Sequence, residues 1–163
     1  MAERISWGNW LLVSLAVIAA DQVTKLQVTG ALGLYERVPV LPFFDLVRLH
    51  NPGAAFSFLA GASGWQNWLF SGVAAVVSLG VFWWLTRLPR SGHGLLALGL
   101  ALLLGGAIGN LIDRLLYGYV VDFILLYYRD WSYPAFNLAD AAITCGVVLV
   151  LFDGLVLDRR RRS

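Results

Sequence analysis

The sequence predicts an all-α integral membrane protein of four transmembrane helices, with a few short strands and an interfacial segment on its outer side. Three observations lead there. Of its 163 residues, 59% are hydrophobic before 17 glycines are counted, against about 45–50% with glycine included in a soluble domain. Only 13% are charged, about half the usual share. The apolar residues gather into four tracts near the bilayer-crossing length of about 20 residues. Four spans consume about 80 residues, which leaves no room for a separate catalytic domain. Residues 1–163 therefore read as one membrane-embedded domain, and any site must be built from the bundle and its loops.

The first span is placed over residues 9–28. A cleaved signal peptide is its rival, but the tract continues through Asp21 and Lys25 without a clear small-residue cleavage site, so a retained helix is the better reading. The second span covers 65–85, from Trp65 to just before Arg87. The third covers 95–116, with Asn110, Asp113 and Arg114 near its end. The fourth covers 134–151, interrupted by Asp140, with Pro134 in the first turn, where a missing N–H costs nothing. Residues 152–163 form a basic tail. Beside an apolar helix, its run Asp158-Arg159-Arg160-Arg161-Arg162 reads as a membrane-surface anchor.

Four spans place both termini on one side. Arg4, Arg87, Arg90 and the four tail arginines lie on that side, whereas Arg37, Arg48 and Arg129 lie on the other. Seven against three puts both termini in the cytoplasm. The outer connection, residues 29–64, begins with alternating stretches such as Phe44-Asp45-Leu46-Val47-Arg48-Leu49, which suggest short strands. His50-Asn51-Pro52-Gly53 is a turn signal, with His50 read as a turn residue. Ala54–Ala60 is apolar enough to dip into the interface. The connection Tyr117–Tyr133, rich in tyrosine and carrying Trp131, suits the headgroup level.

Several function classes fall away. A net charge of +2 is too small to argue for nucleic acid. The single cysteine, Cys145, excludes an internal disulfide and multi-cysteine metal sites, and it reads as a buried small hydrophobe. The two histidines, His50 and His93, fall on opposite sides of the membrane, and no HExxH pattern occurs. Neither metal nor cofactor is expected. Gly105-Gly106-Ala107-Ile108-Gly109 carries small residues at helix-packing spacing.

Depth organises the remaining polar residues. Asp21 and Lys25 are four apart near the outer end of the first span, on one face. Asn110 and Arg114 have the same relation in the third. Asn137 and Asp140 are three apart near the outer end of the fourth. Asn51 and Asp122 come from the outer loops. Each ionisable group at bilayer depth costs about 2.5–3.5 kcal/mol to insert, so these groups should face inward and find partners. Asp21–Lys25 reads as a supporting ion pair, and Asn110 with Arg114 as organisers of a site. Asp113 reads as facing headgroups or pairing with a loop and is left out of the site, and Asp153 as facing water or a basic tail residue.

Asp122 and Asp140 stand apart, because apolar residues surround both and neither has an adjacent lysine. Two neighbouring carboxylates in low dielectric share a proton. Such a pair can hydrolyse a peptide, as in aspartic peptidases, carry protons in a small proton-coupled transporter, or serve structure. Spacing alone leaves the three open. A transporter would usually show an internal repeat or paired half-helices, and the sequence has neither.

At these residues the chain resembles the lipoprotein signal peptidases (signal peptidase II) of bacterial membranes. The matching stretches are Asp21-Gln22-Val23-Thr24-Lys25, Asn51-Pro52-Gly53-Ala54-Ala55-Phe56, the run from Gly105 to Arg114, Val120-Val121-Asp122-Phe123, and Phe136-Asn137-Leu138-Ala139-Asp140. They occur in the family's order and cover most of the chain. The resemblance implies an aspartyl endopeptidase of the bacterial inner membrane, with a small β-rich periplasmic cradle and its active site toward the periplasm. It implies that Asp122 and Asp140 are catalytic. Asn51, Gly53, Asn110, Arg114 and Asn137 would line or brace the site, and Asp21 and Lys25 would support it from farther away. The implied substrate is a diacylglyceryl-modified prolipoprotein, cut before its lipidated cysteine. Membrane lipid and a globomycin-type inhibitor are further implied partners, and a monomer is expected.

Overall fold

The computed structural model describes residues 7–53, 65–89 and 92–157. Its elements in chain order are α1 (Trp7–Ala31), β1 (Arg37–Leu41), β2 (Phe44–Asn51), α2 (Trp65–Arg87), α3 (Gly94–Tyr117), β3 (Val120–Tyr128), β4 (Trp131–Ser132) and α4 (Leu138–Phe152), the last extended by a π-helical turn, Asp153–Leu157. Among the described residues four helices are long and apolar enough to cross a membrane, and a four-stranded antiparallel sheet in the order β1-β2-β3-β4 sits at one end. This is the expected four-helix membrane protein with a small β-rich cradle.

In lipid, burying apolar side chains gives little drive for helices to associate, so close packing has to hold the bundle. Leu12, Leu15, Trp68, Val76, Leu79, Val148 and Leu151 accordingly face outward. α3 is the central helix and meets α1, α2 and α4. Its glycines set how near the neighbours come. A Cβ at Gly99 would sit 3.0 Å from the Gly146 carbonyl oxygen, and one at Gly146 only 2.7 Å from that of Gly99. A Cβ at Gly105 would meet the Ser14 carbonyl oxygen at 2.8 Å. Ser14 Oγ donates to the Ala101 carbonyl at 2.8 Å across the same seam. The small-residue run thus has the packing role its spacing indicates.

The sheet is locked to the bundle by two devices. Arg48 on β2 donates from Nη1 to the carbonyls of Thr29 (3.1 Å) and Leu32 (2.9 Å), which satisfies acceptors that the end of α1 leaves open. At the other side, Gly118 adopts a left-handed conformation and donates its N–H to the Arg114 carbonyl at 3.1 Å. This ends α3 and turns the chain into β3. Within the sheet an ion pair joins Arg37 to Asp45.

Five positions differ from the sequence reading. The fourth helix begins at Leu138, not Pro134. Residues 133–136 are extended because the sheet captures their backbone: Tyr133 N–H donates to Leu126, and Phe136 and Ile124 exchange bonds of 3.0 and 2.8 Å. The tyrosine-rich connection after α3 is strand β3, paired with β2 along its length. Cys145 is exposed on α4, since an apolar neighbourhood in a membrane helix does not imply burial. Asp153 is buried rather than facing water. His50 lies in β2 and stacks on Tyr119, ring centres 3.7 Å apart. The apolar stretch Ala54–Ala60 lies outside the described residues.

Candidate active site

The sheet end of the bundle gathers polar residues from α1, α3, α4, β2 and β3. Asn137 begins this assembly. It is the N-cap of α4: its Oδ1 accepts from Asp140 N–H at 2.9 Å, while its own N–H donates to Asp140 Oδ2 at 3.2 Å. This reciprocal capping box fixes the Asp140 carboxyl beside the helix N-terminus. Asn137 Nδ2, fully buried, points the other way and donates to Asp122 Oδ1 at 2.8 Å. One asparagine therefore touches both carboxyl groups.

Two other asparagines complete the hold. Asn51, at the end of β2, donates from Nδ2 to Asp122 Oδ2 at 2.9 Å. Asn110, on α3, donates from Nδ2 to Asp140 Oδ1 at 2.7 Å. All four carboxyl oxygens accept from neutral amides. Asp122 is buried and Asp140 half-buried. Burial pushes the Asp122 carboxyl up to about 7; the nearby Asp140 adds to the rise, and the bonds from Asn51 and Asn137 oppose it. A carboxyl group poised there holds or releases a proton at neutral pH.

The turn after β2 depends on Gly53. Its φ is +91° and its N–H donates to Asn51 Oδ1 at 2.9 Å. A side chain would be strained at that φ and would collide with the Phe70 ring. Gly53 thus lets the chain turn tightly while it orients the Asn51 amide.

A second group lies beneath. Lys25 is buried, and its Nζ reaches Asp21 at 2.7 Å, Asp113 at 3.0 Å and Asn110 Oδ1 at 3.0 Å. Its three donors are all used. The two carboxylates it binds also hold backbone. Asp21 Oδ1 accepts from Ala139 N–H at 2.9 Å, and Asp113 Oδ2 from Val121 N–H at 3.1 Å. Ala139 immediately precedes Asp140, and Val121 immediately precedes Asp122. Gln22 ties the group together, donating to Asp113 Oδ1 at 2.9 Å and the Gly109 carbonyl at 3.2 Å.

Asp21, Lys25, Asn51, Gly53, Asn110, Arg114, Asp122, Asn137 and Asp140 all lie in this assembly. Asp113, left out of the site, pairs with the outer connection through Val121 N–H and with Lys25, fully buried between them. Its spacing offered a signal: it lies three residues from Asn110, hence on the same face of α3. Gln22, Asn67 and Phe70 carried none. Arg114 reads in the sequence as an organiser of the site beside Asn110. Among the described residues its Nη1 donates to the Asn110 carbonyl at 3.3 Å and its guanidinium lies over the Phe70 ring at 5.9 Å. No cluster of three or more His, Cys, Asp or Glu residues suited to a metal ion occurs among the described residues.

Two neighbouring carboxyl groups, where they share a proton, can activate water with one member and protonate a carbonyl oxygen with the other. Comparison with known proteins agrees with that chemistry. Residues 13–156 match the family model described as Signal peptidase (SPase) II. A lipoprotein signal peptidase of Ectopseudomonas mendocina is 50% identical over 167 aligned positions, covering 100% of this chain and 98% of that protein. The lipoprotein signal peptidase of Acinetobacter baylyi is 50% identical, covering 93% of this chain and 84% of its own. A bacterial membrane enzyme solved by the in meso method at 2.3 Å resolution superposes with a TM-score of 0.81 at 29% identity, covering 96% of this chain and 92% of that one.

Proposed function

The chain belongs to the signal peptidase II family, and we propose that Asp122 and Asp140 are the catalytic pair with which it works. It is an aspartyl-type signal peptidase acting on lipoprotein precursors, and a multi-pass protein of the inner membrane. The observation that carries the assignment of the pair is the contrast in partners. Asp122 and Asp140 are held by asparagine amides, while the one lysine nearby is fully engaged elsewhere. Among the described residues neither carboxyl group forms a salt bridge, so no direct ion pair holds either in one protonation state.

In this mechanism Asp122, whose carboxyl burial pushes up to about 7, is assigned the shared proton. Asp140 takes a proton from water as the water oxygen attacks the scissile carbonyl carbon, and Asp122 gives its proton to the carbonyl oxygen. Collapse of the tetrahedral species breaks the C–N bond as Asp140 gives its proton to the leaving nitrogen and Asp122 takes one back from a hydroxyl of the tetrahedral carbon. The pair then returns to one proton between two carboxyls. Asn51, Asn110 and Asn137 hold the two groups in register, Gly53 orients Asn51, and Arg114, Asp21 and Lys25 brace the frame.

In this reading both termini lie in the cytoplasm and the sheet end faces the periplasm, as the seven-to-three bias of basic residues requires. The substrate is a diacylglyceryl-modified prolipoprotein, which its signal helix and acyl chains present at headgroup level, and the cut falls before the lipidated cysteine. A globomycin-type inhibitor occupies the same site, and one chain suffices. The test is cleavage by purified full-length protein of a precursor with and without the diacylglyceryl group, with product masses measured. A new N-terminus at the lipidated cysteine is expected from the modified precursor only. Equal cleavage of the unmodified one would overturn the substrate assignment.

A further inference from the structure

α2 touches the frame around the two aspartates through Asn67 and Phe70. Asn67 and Phe70 are three apart and share a face. Asn67 Nδ2 donates to the Arg114 carbonyl at 3.2 Å. The Phe70 ring lies under the Arg114 guanidinium at 5.9 Å, within the range of a cation–π contact. The same ring packs so closely on Gly53 that no β-carbon would fit there.

Each contact begins a chain that ends on one aspartate. Gly53 N–H donates to Asn51 Oδ1 at 2.9 Å, and Asn51 Nδ2 donates to Asp122 Oδ2 at 2.9 Å. On the other side, Arg114 Nη1 donates to the Asn110 carbonyl at 3.3 Å, and Asn110 Nδ2 donates to Asp140 Oδ1 at 2.7 Å. One aromatic ring on a lipid-facing helix is thus wedged between the supports of both carboxyl groups.

We infer that Phe70 is a positioning residue for the peptidase reaction: its ring wedges the Asn51–Gly53 turn against Arg114 and so sets the separation and orientation of the two carboxyl groups. This rests on the assignment of Asp122 and Asp140 as the catalytic pair. The ring is needed for both contacts. A branched aliphatic side chain of similar reach would leave the guanidinium without a π face and the glycine without a flat surface.

The experiment uses full-length protein in detergent and a diacylglyceryl-modified precursor, with Phe70→Leu, Phe70→Tyr and Asp122→Asn prepared alongside the parent. Phe70→Leu should keep its melting temperature and KM while kcat falls about tenfold, since small misplacements of reacting groups cost rate rather than binding. With Asn51 loosened, the alkaline limb of its pH–rate profile should move upward, because the Asn51 bond opposes the rise at Asp122. Phe70→Tyr keeps the ring and should restore both. Unchanged kcat in Phe70→Leu, a change confined to KM, or a loss that follows the melting temperature and is not recovered by tyrosine would overturn the role of Phe70 alone, provided Asp122→Asn is inactive. An active Asp122→Asn would overturn the catalytic pair and the role of Phe70 with it.

Discussion

Four buried or half-buried aspartates meet at the sheet end of the bundle, and they divide into two pairs of opposite character. Asp21 and Asp113 share Lys25, whereas Asp122 and Asp140 share asparagine amides. The lysine stabilises negative charge on the first pair, so those carboxylates act as fixed acceptors. Each accepts the backbone N–H of the residue just before one member of the second pair. An amide cannot neutralise charge. The second pair is oriented but not locked into one protonation state. The comparison teaches that one site can use the same side chain for scaffold and for chemistry, with the partner deciding which.

The largest effect that tests this division is on turnover. Asp122→Asn and Asp140→Asn each remove a proton donor or acceptor but keep the shape and one of the two hydrogen bonds each carboxyl group accepts. Each should lower cleavage by about 10²–10⁴-fold with folding intact. The double variant should be scarcely worse than either single one, because the pair acts as a unit. Rate measurements on lipidated precursor check this, and additive losses in the double variant would argue for two independent roles.

Lys25→Met should act on the fold instead. It leaves Asp21 and Asp113 facing each other without their cation, and breaking a buried pair from one side costs about 3–5 kcal/mol. Thermal unfolding in detergent should show a marked drop, with activity lost in proportion to folded protein. A stable Lys25→Met protein would show that the lower cluster is not the scaffold.

Smaller effects sharpen the picture around Asp122. Gly53→Ala forces a side chain into a left-handed conformation against Phe70, a strain of about 1–3 kcal/mol, and should reduce turnover with little change in insertion. The pH–rate profile should be bell-shaped, with activity falling as pH rises through about 7 and Asp122 loses its proton. Asn51→Ala removes a bond that opposes this rise, so the falling limb should move to higher pH. A shift to lower pH would mean that the amide favours the protonated form.

Much of this was legible in the sequence because the membrane makes polar residues conspicuous. Asp21, Lys25, Asn110, Asp122 and Asp140 stand out in apolar surroundings, and a common depth gathers them. What stayed hidden depends on strand pairing. Pro134 looks like a helix start until β3 captures residues 133–136, and Asp113 looks peripheral until β3 brings Val121 N–H to it. Phe70 is one apolar residue among many on α2. Nothing in its spacing tells that Gly53 and Arg114 will close on its ring.

The division between the two pairs is tested most directly by one side-by-side measurement, the melting temperature and turnover of Asp122→Asn and Asp113→Asn in the same detergent with the same lipidated precursor. The account predicts a crossed result. Asp122→Asn should melt at or slightly above the parent and fail to cleave, since it loses a strained acid but no scaffold. Asp113→Asn should melt well below the parent while its folded fraction still cleaves. Near-normal cleavage by a well-folded Asp122→Asn, or an Asp113→Asn protein that is stable and inactive, would contradict it.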